Sequence, residues 1–272
     1  MFLRLSVLLG LAALCIYLFV SAPPPLSEGE EVGASVPIEE ALALLAREND
    51  IARQVWTREI VGAGKKVGLS FAEDWEKDGV DAGPLPALFL KETSRQLNRK
   101  PEQLALFLGS DSPIEAGNLF LGEQKDHFER LRATGEPQFF VDAEFGLQTA
   151  MFPDLASVDA CVNCHNGHED SPRTDWELGD VMGATTWTYP AATVSLEKLL
   201  ELTALYRECT RLAYERYLAK CASFEDPPPV GEQWPRDGLR ALPSADEFMD
   251  EVGLLASTET LHSLVDLSSQ AR

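Results

Sequence analysis

Basic side chains are scarce in this chain of 272 residues. Only 23 Lys and Arg stand against 44 Asp and Glu, which gives a formal net charge of -21 at pH 7. A field of that sign repels phosphate backbones and anionic headgroups, so nucleic-acid binding and electrostatic attachment to an anionic membrane are excluded. The same charge suits docking to a basic protein partner, although solubility alone also accounts for it.

The patterns of the commoner catalytic sites are absent as well. The sequence contains no Gly-rich phosphate loop and no Ser, His and Asp at a spacing typical of hydrolases. Its carboxylate pairs, such as Glu73-Asp74 and Glu169-Asp170, are typical of solvated faces. Hydrolytic catalysis is therefore not expected, and the protein is not predicted to be an enzyme.

Against these absences stands one C-x-x-C-H run, Cys161-Val162-Asn163-Cys164-His165. This run is the attachment signal of a c-type haem. Two thiols three positions apart can each bond one vinyl group of the same haem, and the histidine that follows then lies under the iron as an axial ligand. The run predicts one covalent haem c bound by Cys161 and Cys164, with His165 as the proximal iron ligand.

Three other interpretations of the run stay open. A thioredoxin-like redox site also uses C-x-x-C, but it requires a helix after the motif, and here Asn166-Gly167 and a loop-forming stretch follow. A zinc site would draw on Cys161, Cys164, His165 and His168, although zinc prefers two ligand pairs separated by a dozen or more residues. A structural disulfide between the two cysteines is compatible with an exported protein.

Haem c is attached outside the cytoplasm, so the protein must be exported, and its N-terminus carries a segment that suits export. Residues 5–22 form an uncharged apolar run whose length lies between a secretory signal and a short membrane span. Three prolines follow at once, which disfavours cleavage, so this run is expected to anchor the protein to the inner membrane with its body in the periplasm. Residues 23–37 are expected to be a linker.

Hydrophobic periodicity predicts an α+β domain with a small antiparallel sheet between long helices. Helices are predicted over residues 38–61, 87–98, 123–134, 196–222 and 245–264. Strands are predicted over residues 138–141, 147–152 and 181–189, with further short strands within 104–121. Residues 38–222 are expected to form the domain with its flanking helices, and residues 223–272 a C-terminal extension that is helical or irregular.

Four segments together resemble a known family: Gly-Lys-Lys-Val-Gly-Leu at 64–69, Asp-Ala-Gly-Pro-Leu-Pro-Ala at 81–87, the run at 161–165, and Trp-Glu-Leu-Gly-Asp-Val-Met-Gly-Ala at 176–184. They resemble the single-haem c-type family with a PAS-like fold, which occurs as periplasmic proteins and as extracytoplasmic sensor domains. The resemblance covers about residues 61–190. It implies a central antiparallel sheet that holds one haem and serves redox or small-ligand sensing.

The sixth iron ligand decides between electron transfer and ligand binding. In the resembled family, a soft or nitrogen donor on the helix before the sheet is one solution, but this chain has no His, Met or Cys between the apolar run and His127. The candidates are Met151 on a strand, His127 on a helix and Met182 on a second strand, with His168 a weaker one. A vacant or water-filled position is the remaining possibility.

Other residues are secondary candidates around the haem. Lys65, Lys66 and Arg173 could pair with the haem propionates, and Trp176 and Trp187 could form its walls, although each also suits an ordinary surface or core role. Cys209 is a remote candidate for thiolate ligation. It lies 12 positions from Cys221, about 18 Å along a continuous helix, so the two can form a disulfide only if that helix breaks or folds back, or if two copies meet.

Three functions follow from these expectations. The first is a periplasmic monohaem sensor of redox state or of a small gaseous ligand, which passes its signal to a periplasmic redox or signalling protein. The second is an electron-transfer cytochrome that docks with basic partners through its acidic surface. The third is a peroxidase-like activity, which would need an open distal face and a positioned acid or base.

Overall fold

A computed structural model of the protein describes residues 35–270, without the side chains of residues 258–259, 263–264 and 266–270. The predicted anchor over 5–22 and the predicted linker up to residue 34 lie outside the described residues. Within the described part, no helix is long and apolar enough to cross a membrane. The last three linker residues, Ser35–Pro37, are a short strand paired with Thr193–Ser195 instead of free linker.

The described chain alternates helices with short strands. The helices are α1 (Ile38–Val55), α2 (Ala63–Lys66), α3 (Pro86–Leu97), α4 (Gly122–Thr134), α5 (Asp159–Gly167), α6 (Leu196–Cys221) and α7 (Ala245–Gln270), with a π-helical segment at Trp56–Gly62 and 3-10 turns at Ala116–Asn118 and Pro235–Asp237. The strands are β1 (Ser35–Pro37), β2 (Phe71–Ala72), β3 (Gly83–Pro84), β4 (Ala105–Gly109), β5 (Gln138–Val141), β6 (Gln148–Leu155), β7 (Val181–Tyr189), β8 (Thr193–Ser195), β9 (Val230–Gly231) and β10 (Leu242–Pro243).

The main sheet has four antiparallel strands in the order β4-β7-β6-β5. β5 and β6 form the predicted hairpin, and β6 runs on to Leu155, three residues beyond its predicted end. β7 has its predicted bounds. With 49% helix and 19% strand, the protein is a mixed helix and sheet structure, as the α+β prediction requires.

The two faces of this sheet carry different cores, because successive strand side chains point to opposite sides. Ala150 and Trp187 pack with apolar residues of α1, α3 and α6, and this side is named the α1 face. Met151 and Ala184 pack with Phe128 and other residues at α4, and this side is named the α4 face. The sheet therefore lies between a thick helical layer and a single helix.

The helix predicted over 38–61 is confirmed at its start and runs further than expected. Glu39 and Glu40 stand in its first turn, where carboxylates stabilise a helix N-terminus. The helical stretch continues through the π-helical segment into α2, which ends at Lys66. A turn follows at Gly68, whose φ of 88° suits glycine. Gly62 and Gly64 thus lie inside the helical stretch and do not end it.

The described residues beyond 222, predicted as a helical or irregular C-terminal extension, contain α7 and pack in the same compact unit as the sheet. Phe248 of α7 stacks on Tyr214 of α6, with 4.2 Å between ring centroids. Trp234 and Phe248 are buried in one cluster with Trp56. The aromatic residues of this segment account for its packing against α6 and Trp56.

Close backbone contact explains one part of the segment 176–184. A Cβ added at Gly183 in β7 would come 2.5 Å from the backbone oxygen of Gly109 in β4. Gly179, in the turn before β7, has a φ of 89°. Both positions favour glycine because of sheet construction, so this pattern reports the fold and does not by itself report a cofactor.

Candidate functional site

The C-x-x-C-H run lies on the short helix α5, and not in a loop as the sequence indicated. Helix α5 follows β6 after a connection of three residues, and its last residue is Gly167. Cys161 and Cys164 are three positions apart on this helix, so their side chains share one side of it. Both thiols are free, and Cys161 is half-buried while Cys164 is exposed. Two reachable thiols on one side of a helix suit attachment to one planar group.

His165 lies next to Trp176, edge to face, with 6.4 Å between ring centroids. Its Nδ1 is buried and has no hydrogen-bond partner in the described part of the protein. Burial lowers the pKa of the His165 imidazole, while the charge of Asp154 opposes that shift. The ring is therefore held in the neutral form, which is the form that binds a metal.

A pair of hydrogen bonds fixes α5 to the segment that follows it. The Asn166 side chain donates to the Trp176 carbonyl at 2.9 Å and accepts from the Trp176 backbone N–H at 2.8 Å. Arg173 covers the Trp176 ring at 3.9 Å and forms an ion pair with Asp180 at 3.1 Å. The end of the motif helix and the wall beside His165 are thus one connected unit.

The environment of Cys164 bears on the thiol-redox alternative. Surrounding protein raises the pKa of its thiol, Glu73 adds to that rise, and Lys65 opposes it. A reactive thiol requires a lowered pKa, so Cys164 does not suit the role of a nucleophile. The motif helix α5 follows strand β6, as the helix of a thioredoxin-like site follows a strand, so this alternative stays open.

The zinc alternative lacks its donor set. Within residues 35–270, no three His, Cys, Asp or Glu side chains converge as a metal-holding group. The Nε2 atom of His168 lies 3.1 Å from a Glu73 carboxylate oxygen, and its Nδ1 accepts from the Asp170 backbone N–H. Both ring nitrogens of His168 are therefore occupied, which also weakens it as a distal iron ligand.

An ion pair joins the end of β6 to α1 close to the motif. Arg53 of α1 donates to Asp154 of β6 at 2.9 Å, across 101 positions of sequence. The Nε–H of Arg53 is buried and has no hydrogen-bond partner in the described part. The charges of both Asp154 and Glu73 act on His165, and His168 contacts Glu73, so the motif helix lies near this end of β6 and near the segment that follows β2.

Asp50 lies one turn before Arg53. Its side chain is open to solvent but stands in a concave region crowded by protein. The resulting loss of bulk water, opposed by Arg53 and assisted by Asp154, raises the pKa of the Asp50 carboxyl to about 6.

Two of the three distal candidates lie on the α4 face of the sheet. Met151 is fully buried in the apolar cluster of the α4 face. His127 stacks on Phe140 of that same face, with 3.7 Å between ring centroids, and burial lowers the pKa of its imidazole. Both candidates therefore lie in or against the apolar cluster of the α4 face.

Met182 is placed differently. It is half-buried at the irregularity where Asp154 pairs with Gly183 and Leu155 with Val181, at the end of the sheet from which α5 departs. Regular alternation of side chains fails at such a bulge. Of the three distal candidates, Met182 is the one at the motif's end of the sheet.

The secondary candidates also differ in how near they lie to the C-x-x-C-H run. Trp176 is beside His165, whereas Trp187 is fully buried in the core of the α1 face, against Tyr206. Lys65 and Lys66 are exposed on α2, and the charge of Lys65 reaches Cys164. Arg173 is already paired with two carboxylates, Asp175 and Asp180.

Cys209 and Cys221 lie on one unbroken helix, α6, and both are free and buried. They therefore form no disulfide with each other within the chain. Burial raises the pKa of the Cys209 thiol to about 11 and that of Cys221 to about 12. Neutral, sealed thiols of this kind are poor metal ligands, which weakens Cys209 as an iron ligand.

The residues around the motif fit a covalently held haem. Two accessible thiols share one side of α5, and an imidazole whose pKa is lowered by burial follows them. Thiols that can be alkylated and a neutral imidazole are the groups that such attachment requires.

Comparison with protein-family models, with curated proteins and with solved structures found no match to this chain.

Sequence reasoning missed three residues of this site. Asn166 directly follows the motif, so its position was visible although its bonds to Trp176 were not. Arg53 and Asp154 meet only through the fold, and no local pattern marks either one.

Proposed function

We propose that this protein is an exported monohaem c-type protein that senses redox state or a small ligand. Cys161 and Cys164 would hold the haem covalently, and His165 would be its proximal iron ligand. The four-stranded antiparallel sheet packed against long helices supports the PAS-like architecture that the sequence resemblance implies. The observation that carries the proposal is the pair of free thiols on one side of α5 beside a neutral, half-buried imidazole.

A bound haem would supply one iron that changes oxidation state or takes an external ligand. The chain's own residues prepare its surroundings. Desolvation keeps His165 neutral, Asn166 fixes the end of α5, and Trp176 covers one side of the imidazole. Met182, at the motif's end of the sheet, would be the methionine donor, or else the sixth position would be open, and an open position favours ligand sensing.

The second candidate function is electron transfer. The net charge of -21 supports docking with a basic redox partner, and the exposed Cys164 places the attachment edge at the surface. A carrier needs a firmly bound sixth ligand, for which Met182 is the candidate. Periplasmic localisation and an anchor at residues 5–22 remain part of both proposals.

The deciding experiment expresses the chain in a host that attaches haem c. The expected result is a Soret band and a mass increment that survives denaturation, both lost in the Cys161→Ala/Cys164→Ala variant. Absence of both signals from the unmodified chain would refute the proposal. Binding of carbon monoxide by the reduced protein then favours a sensor, whereas six-coordinate spectra in both redox states with weak binding favour a carrier.

A further inference from the structure

One strand at the edge of the main sheet is apolar and partly uncovered. β5 is the last strand in the order β4-β7-β6-β5, so its outer backbone groups pair with no strand in the described part of the chain. Its residues are Gln-Phe-Phe-Val, and its pairing with β6 is regular. Proteins usually protect a sheet edge with lysine, proline or a bulge, and β5 contains none of these. It therefore offers a template for a further strand.

The exposed side chains of this strand lie on one face of the sheet. Phe139 pairs with Ala150 of β6, whose side chain packs on the α1 face, so Phe139 and Val141 point to that same face. They are 39% and 52% exposed. The helices that cover Ala150 therefore stop short of β5. Phe140 points the other way and packs against the apolar cluster at α4.

Phe152 of β6 extends this uncovered surface. It contacts Phe139 edge to face, with 5.8 Å between ring centroids, and is half-buried. Phe139, Val141 and Phe152, together with the outer edge of β5, are named the edge surface. Exposed apolar side chains grouped on one surface favour an interaction site. A free strand edge beside them adds main-chain donors and acceptors to that site.

The charge around the edge surface indicates the kind of partner. Residues 133–172 contain no Lys or Arg, and they contain seven Asp and Glu residues. Glu136 stands two positions before β5 and Asp142 directly follows it, so an acidic residue flanks each end of the strand. Basic residues at both ends of an incoming strand would each meet an opposite charge.

A second copy of this chain fits the edge surface poorly. Two β5 strands paired antiparallel about their centres would bring Glu136 of one copy close to Asp142 of the other, at both ends of the contact. Like charges opposite each other on paired strands are destabilising. An edge of four residues is also short, whereas a specific interface between two proteins buries more than about 1,000 Å².

We propose that β5 binds a basic, extended segment of a partner protein, which adds to the main sheet as a fifth strand. The main chain of that segment would pair with the outer edge of β5, and its alternate apolar side chains would contact Phe139 and Val141. Its Lys or Arg residues would face Glu136 and Asp142. The inference goes beyond the proposed function, because it does not require an attached haem. It places the partner on the hairpin whose second strand leads into the motif helix.

The test measures binding of a fluorescent peptide to the full chain by anisotropy. The probe is Lys-Lys-Val-Thr-Val-Thr-Val-Lys-Lys, which alternates apolar and polar residues between basic ends. Replacing its four Lys by Glu should weaken binding by about tenfold or more, because the peptide then has the charge sign of Glu136 and Asp142. Methylating two adjacent central amides preserves the charge and the side chains but prevents main-chain pairing, and it should weaken binding to a similar extent.

Val141→Lys is the protein variant, because a lysine on an edge strand opposes pairing and also repels the probe. It should weaken binding about tenfold, through lost apolar contact and added like charge. Val230→Lys is the matched control. Val230 is 50% exposed on β9, outside the main sheet, so the same change there should leave binding unaltered. Urea denaturation verifies that both variants fold.

Equal binding of the methylated and unmethylated peptides would overturn the inference, since charge alone would then hold the probe. So would a basic probe that does not bind, or a dimer of this chain that Val141→Lys abolishes. The Soret band and the mass increment are measured on the same samples. A chain that carries haem and does not bind the probe would contradict the inference and leave the proposed function intact, and a chain that binds the probe without carrying haem would do the reverse.

Discussion

The attachment of α5 to Trp176 through Asn166 gives a sharp prediction. Asn166→Ala removes both hydrogen bonds, of 2.9 and 2.8 Å, that join the end of the motif helix to Trp176. Each such bond contributes about 1 kcal/mol net, so about 2 kcal/mol of local stability should be lost. Because every 1.4 kcal/mol is a factor of ten, the Trp176 backbone amide should exchange its hydrogen roughly 30-fold faster.

The measurement is hydrogen exchange resolved at Trp176, in the unmodified protein and in the variant. Asn163→Ala is the control, because Asn163 is exposed on the same helix, and it should leave this exchange rate unchanged. Asn166→Asp keeps the oxygen that accepts from the Trp176 N–H and loses the donor, so an intermediate rate is expected. An unchanged rate in Asn166→Ala would refute the view that these two bonds hold the motif helix against the wall beside His165.

Three further predictions concern single substitutions elsewhere in the fold. The pKa of the Asp50 carboxyl rises from 3.8 to about 6 on folding, so its effect is absent below pH 3.8 and destabilising above pH 6. Two pKa units correspond to about 3 kcal/mol, which solvent contact reduces to about 1 kcal/mol. Asp50→Asn should therefore raise the free energy of unfolding by about that amount at pH 7.5 and not at pH 3.5, measured by urea denaturation. Gly183→Ala brings a Cβ within 2.5 Å of the Gly109 oxygen and should cost about 2 kcal/mol through overpacking, measured as a fall in the urea midpoint. Arg207→Ala leaves the buried Glu48, now bonded to Arg207 at 2.7 and 2.8 Å, without that partner, and should cost about 3 kcal/mol at pH 7.

Each of these three has an outcome that contradicts it. An Asp50→Asn effect of equal size at both pH values would show that the carboxyl does not titrate near 6. A Gly183→Ala variant with an unchanged urea midpoint would mean that β4 and β7 separate easily at this point. If Arg207→Ala matched the unmodified protein in stability, the Glu48 carboxylate would not depend on its guanidinium partner.

Much of the fold was readable because the sequence repeats simple patterns. The period of apolar residues predicted the bounds of α3 and α6 to within one residue, and the start of α1. The strand β7 was predicted with its observed bounds, and β6 differed only in length. The π-helical segment was not visible, since Gly62 and Gly64 are typical of a helix end and nothing local shows that the chain continues through them.

The sequence allowed the residues of the C-x-x-C-H run to be predicted, but not the residues that surround it in the fold. Cys161, Cys164 and His165 stand together in sequence, but the side of the sheet on which each distal candidate lies depends on strand pairing. One position of shift in β6 would exchange Met151 for Ala150 on the α4 face. Arg53 and Asp154 meet across 101 positions, a distance at which no motif operates.

The burial of Cys209 and Cys221 has a practical consequence. Among the cysteines that the structure describes, a thiol-specific reagent reaches only Cys161 and Cys164 in the folded protein. Because Cys15 falls outside the described residues, labelling is measured on the peptide that contains Cys161 and Cys164. Alkylation of the folded protein therefore measures how many of these thiols carry haem. Two labels on that peptide would indicate a chain without haem, and no label would indicate that both thiols are bonded to haem. Denaturation before labelling would expose the α6 pair as an internal standard in the same sample.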